Sequence, residues 1–494
     1  MGYALTFISA ILYYISFPPY TQGYLAFFSL TPLFFALSTA ESVKKTIITG
    51  SIWGTTLAVL FSIPLYNALI TEYEFSIIFS TVLIIFSVYI PYGIIYGIYG
   101  ISFKYLFQKT GIFTPLLAAS LWLIIDYLMS IMPLFMPWGY AGYTQVFTTL
   151  IQISDLSGIY GVTFLVVLVN SLFTGIFIFK KRYYKQSLLI IAFIIISTAS
   201  YGFLRVQSIN KIMQTAAENN ITAAIIQGNF GSKEKWDSKN TAAIINTYIS
   251  MTKSVIEEAD IIVWPETVLN SSDKNNLEVI AGMSSLLKTN KMFIAGATRN
   301  DSKNRIFNSI FVSDDYGLKY IYDKKILFPF TESSFAGLSS GKFMDSPSIF
   351  FKGKGRPVYN YGPANIGFSI CFEAIFPDYI RRIKNQGAVI LINVANDSWF
   401  GNTYEPYMHF HNNIARAIEN RFYVIRSSDN GISAIISPTG KIVNSIELNK
   451  RDKIAAPISI IAIPTLYSKF GDWIIIVSLL IIIISLIFQL KNKN

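Results

Sequence analysis

The feature that most constrains this chain is a series of long apolar runs. They lie near residues 3–20, 24–40, 46–68, 76–103, 112–132, 158–179 and 187–204, and a last one covers Trp473–Leu490. An α-helix rises about 1.5 Å per residue, so about 20 apolar residues cross a hydrocarbon core of ~30 Å. A backbone facing lipid has no water to bond, so such runs fold as helices. The expected architecture is a polytopic α-helical membrane domain of eight spans. Between residues 206 and 470 the pattern turns to mixed polar sequence, which predicts one large soluble insert. The expected division is therefore a seven-span domain over 1–205, a soluble domain over 206–470, and an eighth helix with its tail over 471–494.

The loops between the runs carry an orientation. Lys44 and Lys45, Lys104 and Lys109, Lys180, Lys181, Arg182 and Lys185, and the tail residues Lys491 and Lys493 all fall on one side of an eight-span chain. The opposite loops carry Glu72, Glu74 and Asp155. Basic loops stay in the cytoplasm. Both termini are then expected inside, and residues 206–470 outside. The first run has no basic segment before it, so it reads as a retained span rather than a cleaved signal peptide. Met1-Gly2 with Thr6 fits a bare myristoylation pattern, but that stretch opens the first span.

Composition narrows the chemistry. Hydrophobic residues make up 52% of the chain and charged residues only 14%, against roughly 25% charged in soluble domains. The net charge is +11, which raises nucleic acid or an anionic membrane as partners. Residues 206–470 hold 29 Lys and Arg against 23 Asp and Glu, scattered and without a basic stripe. Nucleic acid is therefore not expected, and a mildly basic domain beside anionic headgroups is. The single cysteine, Cys371, excludes an intramolecular disulfide. With His409 and His411 as the only histidines, a zinc centre of Cys and His ligands lacks enough ligands. No metal and no cofactor are expected, although oxygen ligands for magnesium or calcium are not excluded by the count.

Within the insert, short apolar stretches alternate with helical patterns. Ile221–Gln227, Ile261–Trp264, Met292–Ala297, Asn365–Cys371, Ala388–Val394 and Phe422–Ser428 read as strands. Ile306–Ser313 and Leu318–Lys324 read as a hairpin around Asp315-Tyr316-Gly317, and Ile432–Ser437 and Lys441–Ile446 as a pair around Pro438-Thr439-Gly440. Helical spacing covers Thr241–Glu258, Leu277–Lys288, Tyr379–Lys384 and Tyr404–Glu419. Helices separating strands predict an α/β sandwich with sheets inside and helices outside.

Three residues then stand out. Glu266 follows Ile-Ile-Val-Trp-Pro, Lys324 ends the Tyr320–Lys324 stretch, and Cys371 closes an apolar strand. Singly, a core cysteine is usually a small hydrophobe, a carboxylate after a strand is usually solvated, and a Lys pair is usually surface. Jointly, all three sit at the C-terminal ends of expected strands and form a complete set for acyl transfer. A thiol must lose its proton to attack a carbonyl, a carboxylate can take it, and a lysine can hold the oxyanion. His409 or His411 could pair with Cys371, but packing or substrate contact is the simpler expectation for both.

These residues carry a family resemblance. Val263-Trp264-Pro265-Glu266-Thr267, Tyr322-Asp323-Lys324 with Leu327-Phe328-Pro329-Phe330-Thr331-Glu332, and Ile370-Cys371-Phe372-Glu373 resemble the three signature blocks of the nitrilase, or carbon–nitrogen hydrolase, superfamily. Ile226-Gln227-Gly228-Asn229 with Lys235-Trp236, Asn396–Gly401 and Arg426–Gly431 are similar to blocks of one branch, the apolipoprotein N-acyltransferases. So, in the apolar part, are Ser16–Tyr20, Pro137–Gln145 and Gly158–Phe164. The resemblance covers nearly the whole chain and implies an αββα nitrilase-like domain carried by eight spans. It implies Cys371 as nucleophile, Glu266 as general base and Lys324 as oxyanion stabiliser, with Glu332 and Glu373 as supporting carboxylates. Trp236, Trp399, Trp138, Tyr143 and Phe372 would contact substrate. The implied partners are a phospholipid acyl donor and the S-diacylglyceryl cysteine of an apolipoprotein, handled by a monomer in the bacterial inner membrane.

Three departures stand out: Thr331 where the family usually has Gly, Phe372 where it usually has Tyr, and Glu332-Ser333-Ser334-Phe335 where it often has a Glu-Tyr-x-Pro run. Two lipid substrates would need an opening at the bilayer surface, with loop 133–157 and segment 331–345 as expected gates. A membrane-anchored amidase with the same three residues is the alternative reaction. A transporter or lipid-binding scaffold is the alternative class, supported by Asp126 inside a span.

Overall fold

The computed structural model describes residues 2–20, 22–110, 114–132, 138–179, 184–217, 220–329, 331–333, 350–362 and 364–491. The chain separates into two compact units. One comprises Met1–Ile70, Phe75–Gln207 and Phe470–Asn494, and the other Thr71–Glu74 and Ser208–Lys469.

The first unit is helical. Among the described residues, four helices are long and apolar enough to cross a membrane: Ile77–Leu106, Thr114–Ile131, Thr149–Ile178 and Tyr184–Thr215. A fifth arises if Val43–Phe61 and Ile63–Thr71, bent by 45°, count as one span. The run at 46–68, expected to be continuous, is thus broken. Pro64, at the second position of the second helix, cannot donate to the carbonyl four residues earlier, so the ladder is interrupted there. The runs at 3–20, 24–40 and 473–490 form the shorter apolar helices Gly2–Ile15, Gly23–Thr39 and Trp473–Ile487.

Close backbone approach holds this unit. A Cβ on Gly50 would lie 2.0 Å from the Tyr96 carbonyl oxygen, and one on Gly100 would lie 2.5 Å from that of Thr46. Where lipid surrounds helices, such small-residue contacts replace the hydrophobic driving force. Trp53, Trp122, Tyr13, Tyr96 and Tyr99 pack edge-to-face in the interior. Asn170, fully buried, receives the backbone N–H of Leu30 at 2.8 Å and donates to the Ala26 carbonyl at 2.7 Å. It thereby satisfies the groups that the helix break at Leu30 leaves open. Large apolar side chains such as Ile78, Phe86, Leu189 and Phe193 remain exposed, as a lipid-facing surface requires.

Among the described residues, the second unit contains twelve strands in two six-stranded sheets. The first half supplies β1 (Asn220–Gln227), β2 (Ile261–Val263), β3 (Met292–Asn300), β4 (Ile306–Asp314) and β5 (Gly317–Asp323). The second supplies β6 (Val358–Tyr361), β7 (Ala364–Ile370), β8 (Ile390–Ala395), β9 (Tyr423–Ser428), β10 (Ser433–Ile436) and β11 (Ile442–Ile446), and β12 (Asp452–Ser459) follows. The orders are β12-β1-β2-β3-β4-β5 and β11-β10-β9-β8-β7-β6. β1, β2 and β3 run parallel, as do β7, β8 and β9, and antiparallel strands flank both sets.

Alternation along the strands builds the layers. Ala223, Ile225, Ile261, Val263 and Ile294 of one sheet share a core with Ile366, Phe368, Ile390, Ile392 and Ile425 of the other. Their neighbours Ala224, Ile226, Ile262 and Phe293 point the opposite way, onto Ile244, Tyr248, Ile280 and Met283. Those partners lie on the helices Thr241–Lys253 and Asp273–Leu286. Strands buried on both faces read as continuous apolar runs, and the result is the expected sandwich with helices outside. Two strands carry no signal in the sequence reading: β6, a short edge strand, and β12, which contains Pro457.

Candidate active site

Glu266, Lys324 and Cys371 all lie just past the C-terminal ends of strands, β2, β5 and β7 respectively. In open α/β sheets that is where loops converge to make a site. Each approach has a local cause. Pro265 turns the chain after β2, and its carbonyl accepts the Gly296 N–H at 3.1 Å. A Cβ on Gly296 would meet that carbonyl at 2.3 Å, so only glycine lets the Glu266 loop lie against β3. Lys324 is fixed on both sides: its N–H donates to the Asn308 carbonyl and its carbonyl accepts from Gly353, each at 2.8 Å. Cys371 has φ +48°, in the left-handed region that non-glycine residues rarely occupy.

The structure brings the three together with Glu332 and a residue the sequence reading missed, Asn308. Lys324 Nζ is 2.8 Å from Glu332 Oε1 and 3.2 Å from Glu266 Oε1. Asn308 Nδ2 donates to the same two oxygens, at 2.7 Å to Glu266 and 2.9 Å to Glu332. The Phe328 N–H holds the other Glu332 oxygen at 2.7 Å. Lys324 is only 1% exposed and Glu266 5%, while Cys371 is partly exposed. A polar residue within an apolar strand, as Asn308 is in β4, was the available signal.

Electrostatics follow from this packing. Burial alone would lower the Lys324 ammonium. The charges of Glu266 and Glu332 outweigh that and hold it well above the usual lysine range. Burial pushes the Cys371 thiol up, Glu266 adds to the shift, and Lys324 opposes it. Glu373 is raised by burial, although four donors favour its carboxylate. The Tyr322 hydroxyl and the N–H groups of Ile370, Lys325 and Ile326 all point at it. Glu373 therefore ties the segment after Lys324 to the strand end that presents Cys371.

Lys235, given no role of its own in the sequence, is buried with its Nζ 2.6 Å from the Glu266 carbonyl and 3.1 Å from Asp429 Oδ2. His409, expected to serve packing or substrate contact, stands against the backbone of Cys371. Its Nε2 is 3.1 Å from the Cys371 carbonyl, and its Nδ1 is 2.8 Å from Asp397. A nitrogen facing a carbonyl oxygen must carry a proton, so Nε2 is not a base for the thiol. His411 does not join this group; burial lowers it to about 3.

Phe372 is buried between Phe328 and Phe376, with ring centroids 4.8 and 5.0 Å away. Thr331 hydrogen-bonds the Tyr73 hydroxyl, and Tyr73 stacks on Trp399 at 6.0 Å. Trp236 ends the helix Ser232–Trp236 and is partly buried. Trp138 and Tyr143 belong to the helical unit, where Tyr143 is buried and stacks on Tyr140. Of the expected gates, residues 133–137 and 334–345 lie outside the described residues.

Ligand atoms of Cys371, Asp397 and His409 lie within 4.8 Å of one another. They do not make a ready metal site. Both His409 nitrogens are engaged, and Arg426 Nη2 sits 2.7 Å from Asp397 Oδ2, where its charge repels a cation.

A two-sheet sandwich with a thiol, a carboxylate and an ammonium at its strand ends defines a nitrilase-like domain. The carbon-nitrogen hydrolase family matches residues 222–465. The family described as apolipoprotein N-acyltransferase N-terminal domain matches residues 9–172. An apolipoprotein N-acyltransferase of Rickettsia prowazekii is 30% identical over 400 residues, which is 78% of this chain and 79% of that protein. One of Wigglesworthia glossinidia brevipalpis is 26% identical, covering 97% of this chain and 96% of that one. The nitrilase-superfamily protein Nit3 of Saccharomyces cerevisiae aligns over 49% of this chain and 92% of its own, with a TM-score of 0.39 and 18% identity. The chain belongs to the apolipoprotein N-acyltransferase family.

Proposed function

We propose that this protein is an N-acyltransferase that moves the sn-1 acyl chain of a phospholipid onto the α-amine of an apolipoprotein's S-diacylglyceryl cysteine. The membership just described supports that substrate class. The observation that carries the chemistry is the Lys324–Glu266–Glu332 cluster at the strand end beside Cys371.

The reaction has two halves. Cys371 Sγ attacks the ester carbonyl while Glu266 accepts the thiol proton. The tetrahedral oxyanion is met by the Lys324 ammonium, which stays charged because two carboxylates flank it. The carbon–oxygen bond breaks, Glu266 returns the proton to the departing lysophospholipid, and an acyl thioester remains. The acceptor amine then attacks the thioester, Glu266 takes its proton, the carbon–sulfur bond breaks, and the proton passes to the sulfur. A raised thiol pKa suits this scheme, because the proton leaves during attack and no free thiolate accumulates.

The setting in this reading is the bacterial inner membrane, crossed by eight spans, with both termini cytoplasmic and residues 206–470 on the outer face. The alternation of basic and acidic loops supports it. Glu373 acts as a clamp on the Lys324 and Cys371 segments, and Trp236, Trp399, Trp138, Tyr143 and Phe372 as substrate contacts. In the test, purified protein is incubated with phospholipid labelled in the sn-1 chain. The wild type should form a labelled, hydroxylamine-sensitive protein thioester that is discharged by a diacylglyceryl-cysteinyl peptide. Cys371→Ala should form none; a labelled thioester in that variant would sink the proposal. Turnover of a small amide alone, with its acyl-enzyme discharged by water and no transfer from phospholipid to the peptide, would point to an amidase instead.

A further inference from the structure

The Cys371 peptide is held from behind by a buried network that no step of the reaction uses. Arg426, on β9, is fully buried and reaches in two directions. Its Nη1 donates to Asn393 Oδ1 at 2.8 Å, and its Nη2 to Asp397 Oδ2 at 2.7 Å. Both arms end on one atom. Asn393 Nδ2 lies 3.5 Å from the Cys371 carbonyl oxygen and is anchored by Ser369 Oγ at 3.0 Å. Asp397 Oδ1 holds His409 Nδ1 at 2.8 Å, and His409 Nε2 donates to the same carbonyl at 3.1 Å.

We propose that His409 is a positioning residue for the nucleophile: with Asp397, Asn393 and Arg426 it clamps the Cys371 carbonyl and keeps this residue in its left-handed conformation.

The physical need is specific. A cysteine at φ +48° relaxes toward negative φ unless its surroundings over-determine it. Rotation of that peptide would swing Sγ away from Lys324 and Glu266. The clamp opposes the rotation at the carbonyl, a group of the residue that does not react. It draws its parts from β8, the turn after it, the helix Glu405–Asn420 and β9, so four segments must be in place before the thiol is aimed. The charged groups facing His409 are Asp397 and Arg426, while Glu405 on its own helix acts on both of those. This inference rests on Cys371 being the nucleophile.

Two measurements test it. The chain has only two histidines, so the wild-type protein labelled with 15N-histidine in lipid nanodiscs gives two resolvable rings. His409, assigned by its loss in His409→Gln, should show a protonated, pyrrole-type Nε2 whose resonance moves when Cys371 is acylated. An unprotonated Nε2, or one indifferent to acylation, would overturn the clamp. Kinetically, His409→Ala should slow acyl-enzyme formation by about 100-fold, the scale of a misplaced reacting atom. Its phospholipid KM should stay within twofold, and the shape of its pH profile should not change. His409→Gln, which retains a donor, should recover part of the loss. Wild-type kcat in His409→Ala would refute the proposal. The protonation of Nε2 is read on the unacylated protein and does not depend on the acyl-transfer reading, so the two can fail separately.

Discussion

Asn308 Nδ2 lies 2.7 Å from Glu266 Oε1, the oxygen that also faces Lys324 Nζ. The amide, which has no charge to contribute, fixes where the carboxylate points. Its second bond to Glu332 makes it the link between the two acids flanking the lysine. Removing it leaves charged oxygens short of a donor, and a hydrogen bond to a charged group is worth about 1.5–3 kcal/mol. Asn308→Ala should therefore lower acyl-enzyme formation by about 10–100-fold with phospholipid KM nearly unchanged, as read by single-turnover labelling. Wild-type rates would show that Lys324 alone orients Glu266.

In the proposed reaction Lys324 has both a chemical and a structural part. It neutralises two buried carboxylates, and stripping one partner from a buried ion pair costs about 3–5 kcal/mol. Lys324→Met should abolish acyl-enzyme formation and also lower Tm measurably. It should slow alkylation of Cys371 by iodoacetamide, because Lys324 is the charge that opposes the upward shift of the thiol. In the wild type the same alkylation should climb through pH 8 without a plateau, since the thiol stays protonated there. A plateau near pH 7 would contradict that assignment.

His411 predicts an acid sensitivity with a definite sign. Burial lowers its folded-state pKa to about 3, while an unfolded histidine titrates near 6.5. Between those values the unfolded chain binds the extra proton, so stability rises with pH across the window and is lost as pH falls. The slope from one such group is at most about 1.4 kcal/mol per pH unit. Thermal unfolding between pH 4 and 7 should show a shallower pH dependence for His411→Gln than for the wild type. Parallel curves would assign the acid sensitivity to other groups.

Asp126 tests the competing class of function. Its side chain is buried within the helical unit, and its backbone carbonyl accepts the Tyr140 hydroxyl at 3.1 Å. If it serves packing, Asp126→Asn should leave thioester formation and transfer to the acceptor peptide within twofold of wild type. A variant that keeps thioester chemistry but stops lipoprotein maturation in cells would revive a transport role.

The strands that were legible are those buried on both faces. β1, β2, β7, β8 and β9 carry apolar stretches because nearly all their residues are buried, on both faces. β6 and β12 were not legible, because edge strands need neither an unbroken apolar run nor every N–H. β12 even accommodates Pro457. Helix ends were shifted for a similar reason. The helix expected from 187 to 204 continues to Thr215, past the apolar stretch, because helical hydrogen bonding does not require lipid.

By itself the sequence determined a membrane-bound chain with an α/β insert and one available thiol, because apolar length, strand punctuation and residue counts are local properties. It also marked Glu266, Lys324 and Cys371, each by its place at the end of an apolar run. Only the tertiary structure decided what surrounds them. Asn308, Lys235, Asp397, His409 and Arg426 lie far apart along the chain and acquire their roles by meeting at strand ends. A polar side chain in a strand or helix looks the same in sequence whether it faces water or a buried carboxylate, and the packing of two sheets is what distinguishes them.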